Sequence, residues 1–275
     1  MTSPRPLRRS SHARAVGVGL VVLVFVSPLL LMVVGSLRTP GLPPPDGFDL
    51  LPVPPRWTNY LDVFRVVPLA DQLLNSLFVV VVAVPVTVLV ASWAAFTAVT
   101  GGRRVRALVL GASVVTLMIP ASTLWVPRVV LFEYAGLTDH TLAVAAPALM
   151  GTTPFFVLLL VLAHHRVPPA LFDAAAVEGL SPWRTWRTVA WPLTGPATVA
   201  VAALAFVFHW SNLLEPLLLL AREQTWPAAL GLRTLAAYEP TFYPLLLAAS
   251  VVVTVPAVVA FALVQRALFH RTLGA

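Results

Sequence analysis

Six charge-poor apolar windows dominate this chain, and about 20 apolar residues suffice for a helix to cross a bilayer. They lie near Val16–Leu37, Leu73–Val99, Ala107–Pro127, Thr141–Ala163, Pro196–Leu220 and Pro244–Val264. In hydrocarbon every backbone N–H and C=O needs an internal partner, and a window of this length meets that need as a helix. The expected fold is therefore all-α, a polytopic membrane protein with six transmembrane helices. The chain is 59% hydrophobic and 11% charged, whereas a soluble domain carries about 25% charged residues. Its 26 prolines would break soluble helices but are tolerated where neighbouring helices satisfy the freed backbone groups.

Two absences limit the chemistry. The sequence has no cysteine, which excludes disulfides, thiolate metal sites and thiol nucleophiles. It also has no lysine, so the phosphate-cradling P-loop cannot be written and the chain cannot bind ATP by that route. The net charge of +7 comes from arginines that lie between apolar spans. Membrane orientation, not nucleic-acid binding, accounts for that placement. The first window follows Arg8, Arg9 and Arg14 as a signal peptide would. It is too long for a signal core and lacks a small-residue cleavage site before Arg38, so it reads as a retained helix, with Pro28 as a candidate kink.

The arginines orient the spans. Twelve fall on one side: Arg5, Arg8, Arg9 and Arg14, then Arg103, Arg104 and Arg106, then Arg166, Arg184 and Arg187, then Arg266 and Arg271. Six fall on the other, at Arg38, Arg56, Arg65, Arg128, Arg222 and Arg233, together with Asp46, Asp49, Asp62, Asp71, Glu133, Asp139, Glu223 and Glu239. The positive-inside rule predicts that both termini are cytoplasmic. The expected layout is a cytoplasmic tail over 1–15, a first span over 16–37 and an extracytoplasmic loop over 38–72. A core of five spans follows over 73–266, with a cytoplasmic loop at 164–195, and then a short cytoplasmic tail over 267–275. The proline-rich 38–72 loop, with Gly41-Leu42-Pro43-Pro44-Pro45 and Pro54-Pro55, is expected to be stiff, with a short helix around Tyr60–Val67.

The cytoplasmic loop holds more structure than topology requires. Pro169 suits a first helical turn, Ala170–Glu178 reads as helix, and Gly179 supplies a permissive turn. Ser181-Pro182 is an N-cap followed by proline, restarting a second helix with Trp183, Trp186 and Ala190 on one face and Arg184 and Arg187 on another. Its small residues allow a second protein to approach closely. An interfacial helix without a partner, anchored by its tryptophans at headgroup level, is equally compatible with these features.

The segment Asp173-Ala174-Ala175-Ala176-Val177-Glu178-Gly179, followed by Val189-Ala190-Trp191-Pro192, resembles the cytoplasmic loop of ABC importer permeases, E-A-A-x(3)-G-x(9)-I-x-L-P. Asp173 stands at the family's Glu, Val189 at its Ile and Trp191 at its Leu. Asn75-Ser76-Leu77, Pro120, Pro154-Phe155-Phe156, Trp210-Ser211-Asn212, Pro216-Leu217 and Gln265-Arg266 extend the resemblance to carbohydrate importer permeases of the maltose-permease second-subunit type. The end at Leu273-Gly274-Ala275 looks short beside many of these.

The resemblance implies a permease subunit of a binding-protein-dependent importer in the bacterial cytoplasmic membrane. The expected partners are a homologous second permease, two cytoplasmic ATP-binding subunits and an extracytoplasmic solute-binding protein, with no nucleic acid. The chain itself would be no enzyme and would bind no cofactor directly, ATP and magnesium being used by the partner ATPases. Asp173, Ala174, Ala175, Glu178, Gly179 and Pro192 are the implied ATPase-coupling residues.

Glu215, with Trp210 and Asn212, is the candidate translocation-path cluster, because an acid at membrane depth is costly unless paired or hydrated. Carboxylate, amide and aromatic groups suit hydroxyl-rich solutes. The alternative places Glu215 at the headgroup boundary, solvated or paired with Arg222, and has Asn212 bonding a neighbouring helix. His164-His165 reads as a solvated interfacial pair, since no third ligand lies at useful spacing. The expected solute is a sugar or oligosaccharide. A glycerol-phosphate-like or polyol solute and a non-transporting membrane scaffold are the other readings.

Overall fold

The computed structural model describes residues 9–43, 51–150, 154–237 and 240–273. Arg5, Arg8, Pro44, Pro45, Asp46, Asp49, Glu239, Gly274 and Ala275 lie outside the described residues. Along the chain run α1 (Arg9–Ser36), α2 (Asn59–Val66), α3 (Leu69–Thr100), α4 (Arg103–Met118) and α5 (Trp125–Tyr134). Then come α6 (Thr141–Ala145), α7 (Pro154–His164), α8 (Pro169–Val177), α9 (Pro182–Thr185) and α10 (Trp191–Leu193). The series ends with α11 (Gly195–Trp210), α12 (Leu214–Leu219), α13 (Ala228–Ala236) and α14 (Tyr243–Leu273). The chain divides into two compact units, residues 1–67 with 234–252 and residues 68–233 with 253–275.

In the first unit, α1 exposes an apolar run that includes Leu20, Phe25 and Leu30, as a lipid-facing helix does. Its last carbonyls have no helical partner. Asn59, fully buried at the start of α2, answers that need: its Nδ2 donates to the carbonyls of Ser36 and Arg38, each at 2.7 Å. The Ser36 hydroxyl bonds the Tyr60 hydroxyl at 2.7 Å. The short helix expected around Tyr60–Val67 is thus α2, and its role is to close the end of α1. Gly35 lets Leu247 of α14 come so close that a Cβ would collide with it.

In the second unit α3 is the central element. Ala83, Thr87, Ala91 and Ala95 are buried along it at four-residue spacing, which places small side chains on one stripe. Helices in lipid associate by such close approach, since lipid tails offer no hydrophobic drive between them. Val88, Ala91, Ala95 and Ala98 meet Phe156, Val157, Leu160 and Val161 of α7 and Val201 and Ala205 of α11. The Thr87 hydroxyl and His209 Nε2 lie 3.2 Å apart, tying α11 to the same stripe.

Three of the six windows are continuous helices, the third and fourth are bent pairs, and the fifth begins where Gly195–Trp210 leaves Pro182–Leu193 at 85°. Arg14–Ser36, Leu69–Thr100 and Pro240–Arg266 are each long and apolar enough to span a bilayer. The third window is not one helix to Pro127: α4 ends at Met118 and the chain turns by 94° into Ala121–Tyr134, because Pro120 cannot continue the hydrogen-bond ladder. The fourth window, Thr141–Ala163, bends by 42° between Thr141–Leu149 and Pro154–His164, across residues outside those described.

The fifth window's helix does not reach Leu220. α11 stops at Trp210, and its 16 residues measure about 24 Å at 1.5 Å each. Ser211, Asn212 and Leu213 leave the helix before α12 begins. α1 begins within the expected 1–15 tail, and α14 runs beyond Val264 to Leu273.

Ala95→Leu should lower the stability of the solubilised chain by about 1–3 kcal/mol through overpacking. Val81→Leu on the exposed face should be neutral. Thermal unfolding of the two variants side by side tests the seam.

Candidate functional site

At the end of α3 marked by Thr100, residues 164–195 form the helix–bend–helix. Pro168 and Pro169 open α8. The helix ends in a Schellman turn, with Leu180 N–H donating to the Ala175 carbonyl and Gly179 N–H to the Ala176 carbonyl, both at 3.0 Å. Gly179 has φ +72°, a conformation that costs a side-chain-bearing residue about 1–2 kcal/mol. Ser181 then caps the next helix, its Oγ accepting from Arg184 N–H at 3.4 Å.

After α9 the turn Trp186–Ala190 widens to π-helix. Pro192 explains the widening, since in an α-turn its ring would meet the Thr188 carbonyl. The second helix expected from the sequence is present as the run Pro182–Leu193, with this one wide turn in its middle.

This segment is fastened to α3 by aromatic rings. Trp186 is buried and its Nε1–H donates to Ser92 Oγ at 3.0 Å. Trp93 packs against Trp183 at 5.6 Å and Trp186 at 5.5 Å, and Phe96 against Phe172 at 6.0 Å. Trp191, standing where the family pattern has Leu, reaches Trp186 at 5.0 Å and belongs to the same cluster. Such ring pairs are worth about 0.5–1.5 kcal/mol each beyond their buried area.

With its inner face committed, the segment presents Asp173, Ala174, Ala176, Val177, Glu178 and Gly179 outward. Val177 is 90% exposed. Pro192 is exposed as well, whereas Ala175 is buried.

The histidine pair is corrected by the structure. His164 is fully buried, with its Nδ1 donating to the Leu160 carbonyl at 2.8 Å, and is not solvated. His165 is exposed and accepts from Arg106 Nη2 at 3.2 Å.

At the opposite end of α3, side chains hold loops. Asn75 Nδ2 donates to the carbonyls of Gln224 (2.7 Å) and Trp226 (3.1 Å), and Ser76 Oγ accepts from Ala228 N–H at 2.8 Å. Glu215 pairs with Arg128, not with Arg222. Its other oxygen accepts from Asn212 Nδ2 at 2.8 Å. Among the described residues the Asn212 side chain thus serves Glu215 at the start of α12 and reaches no helix further off in sequence. Glu215 and Arg128 line a cavity of about 570 Å³ with Leu117, Pro120, Ala121 and Phe208 among its walls. Trp210 is not in its lining; it stacks on Phe206, centroids 5.3 Å apart and 14° between planes.

Arg128 is the residue that sequence reasoning missed. It directly follows the third window, and only the bend at Pro120 turns it towards Glu215.

Arg222 is taken by Asp139. Asp139, at φ +62°, also accepts from the N–H groups of Ala221 (3.1 Å) and Arg222 (3.0 Å) and from the Thr225 hydroxyl (3.0 Å). The Arg222 N–H above all, with its guanidinium, the Thr225 hydroxyl and the Ala221 N–H, holds the Asp139 carboxyl at about 2, down from its ordinary 3.8.

A polytopic helical membrane subunit that presents a capped helix and bend at one end is the architecture of a transport permease. Over residues 64–273 the chain matches the family described as binding-protein-dependent transport system inner membrane component, and it belongs to that family. It is similar to the lactose transport system permease protein LacG of Rhizobium radiobacter, 29% identical over 73% of this chain and 72% of that protein. It is also similar to the arabinooligosaccharides transport system permease protein AraQ of Halalkalibacterium halodurans, 28% identical over 91% of this chain and 90% of that one. A solved bacterial ABC transporter involved in import of the acidic polysaccharide alginate shares the fold, with TM-score 0.78 and 18% identity over 96% of this chain and 99% of that one.

Because the Asp139 carboxyl is depressed, its contribution to the loop clip is complete above pH 3.8 and is lost as pH falls through about 2. Hydrogen-exchange protection of the Ala221 and Arg222 amides should hold from neutral pH to about 4 and then fall within that window. Asp139→Ala should remove it at every pH.

Proposed function

We propose that this chain is one of two permease subunits of an ATP-driven importer for a sugar or oligosaccharide. It forms half of the translocation pathway and stands in the bacterial cytoplasmic membrane with both termini in the cytoplasm. The observation that carries the reading is the helix–bend–helix itself: α8 is anchored to α3 through Phe172 and the helix after the bend through Trp186, and the outer face of α8 is left exposed at the arginine-rich end. The names of the two relatives, for lactose and for arabinooligosaccharides, support the solute class. The excess of arginine beside the coupling segment supports the orientation.

In this reading Asp173, Ala174, Glu178, Gly179 and Pro192 contact the cytoplasmic ATP-binding subunit, and Ala175 seats the helix from behind. Two such subunits hydrolyse ATP with magnesium, and a second permease and an extracytoplasmic solute-binding protein complete the complex. The core over 73–266, with its loop at 164–195, is the moving part. ATP-driven closure of the ATPase pair pulls α8. The ring cluster passes that pull to α3, and the direct junction with α11 passes it to the far end. Asn212 and Glu215 belong to the translocation path, and Trp210 stiffens the end of α11 against Phe206.

Co-purification from gently solubilised membranes should recover a second permease, an ATPase and a secreted binding protein; recovery of this chain alone would overturn the reading. Gly179→Leu should leave insertion and assembly intact while ATP hydrolysis continues with uptake reduced at least about tenfold, because the strained turn misplaces the exposed face. Normal uptake per ATP hydrolysed would show that the turn does not couple. Glu215→Ala should lower uptake without loss of partners, as read by transport into proteoliposomes at several solute concentrations.

A further inference from the structure

The cavity between the bend at Pro120 and the end of α11 contains two opposite charges brought together from positions 87 residues apart. The side chain of Arg128 is 10% exposed and that of Glu215 is 20% exposed. Both Glu215 oxygens are engaged, Oε1 by Arg128 and Oε2 by Asn212. A guanidinium carries five N–H donors. Only Nη1 of Arg128 is committed to Glu215 among the described residues, which leaves donors on Nε and Nη2 beside the cavity. The rest of the lining is uncharged. In it the ring of Phe208 is half exposed and held edge-on by Phe156, 6.4 Å away at 89°.

The cavity therefore combines spare donors and an aromatic ring with a net charge of zero. Hydroxyl oxygens can accept from the guanidinium, and the apolar face of a sugar ring can lie on Phe208. An anion meets a guanidinium already neutralised by Glu215, so no net attraction repays its loss of hydration, whereas a hydroxyl gives up far less water to take the same donors.

We infer that the Arg128–Glu215 pair is a charge filter: it keeps this cavity electrically neutral and admits uncharged hydroxyl-rich solutes over anionic ones, with Arg128 and Phe208 as the contacting residues. This rests on the proposed sugar-importer reading and adds to it the charge class of the solute and a contact residue at Arg128.

The absence of cysteine makes a direct test possible. Ala121→Cys places the chain's single thiol in the cavity wall. The complete importer, reconstituted in vesicles, is treated with an anionic sulfonatoethyl methanethiosulfonate and a cationic trimethylammonioethyl methanethiosulfonate. Labelling is read from the mass of this chain, and rates are normalised to those of a free thiol.

With the pair intact the two reagents should react at similar normalised rates. Adding Glu215→Gln should favour the anionic reagent by roughly tenfold, the effect of one uncompensated charge several ångströms away. Adding Arg128→Gln should favour the cationic reagent to a similar degree, and the double substitution should restore parity. A ratio unmoved by either single change, or a thiol that neither reagent reaches, overturns the filter.

Uptake by the same vesicles with the cognate binding protein separates the two ideas. Uptake of lactose or trehalose with an unmoved labelling ratio sinks the filter and leaves the sugar reading intact. Uptake of glycerol 3-phosphate in place of neutral sugars sinks the sugar reading and the selectivity with it.

Discussion

The close approach of α7 and α11 to one stripe of α3 is the contact on which the second unit depends. Lipid gives helices no hydrophobic reason to associate, so the stripe works through small side chains that bring backbones together and maximise dispersion contacts. Ala91 and Ala95 do this against α7 and α11, and Thr87 adds a hydrogen-bonding group at His209. The same helix then organises chemistry at both of its ends. Asn75 and Ser76 hold loops at one end, and Ser92, Trp93 and Phe96 hold the helix–bend–helix at the other.

The two ends use different interactions, and the difference follows from their surroundings. The helix–bend–helix is held by rings, whose large buried area and preferred tilted geometry fix orientation without charge. This leaves the polar and small residues of α8 free to face outward. The far end is held by carboxylates and amides: Asp139 gathers four donors from 221–225, and Glu215 is shared between Arg128 and Asn212. Ionic groups suit a rim beside water. Where one sits deeper, at 10% side-chain exposure for Arg128, it is paired, as the cost of an isolated charge requires.

Local sequence signals were read correctly where the physics is local. Pro169, Gly179, Ser181 and Pro182 mark the boundaries of α8 and α9 because proline, glycine and a capping hydroxyl act on their own backbone and that of near neighbours. Apolar length identified the spans for the same reason. The errors fell where the outcome depends on residues far away. Glu215 was weighed against Arg222, its neighbour in sequence, yet Arg222 is taken by Asp139 and Glu215 by Arg128. His164 looked solvated beside Arg166 but packs inside the bundle. The burial of Ala175 between exposed neighbours is set the same way, by what packs behind α8 and not by the motif.

By itself, the sequence determined that this chain lies in a membrane, that its spans are helical, which end carries the arginines, and where the helix–bend–helix begins and turns. Each of these follows from residue type within a short window, through the cost of exposing backbone to hydrocarbon or the torsional limits of proline and glycine. The tertiary structure decided which windows are straight and which are broken, which face of α8 is left exposed, and which charges meet. Those outcomes depend on a 94° turn at Pro120, the end of α11 at Trp210 and a ring cluster drawn from three separate segments. No local rule encodes them, because each is settled by which distant surfaces pack closely enough to exclude the alternatives.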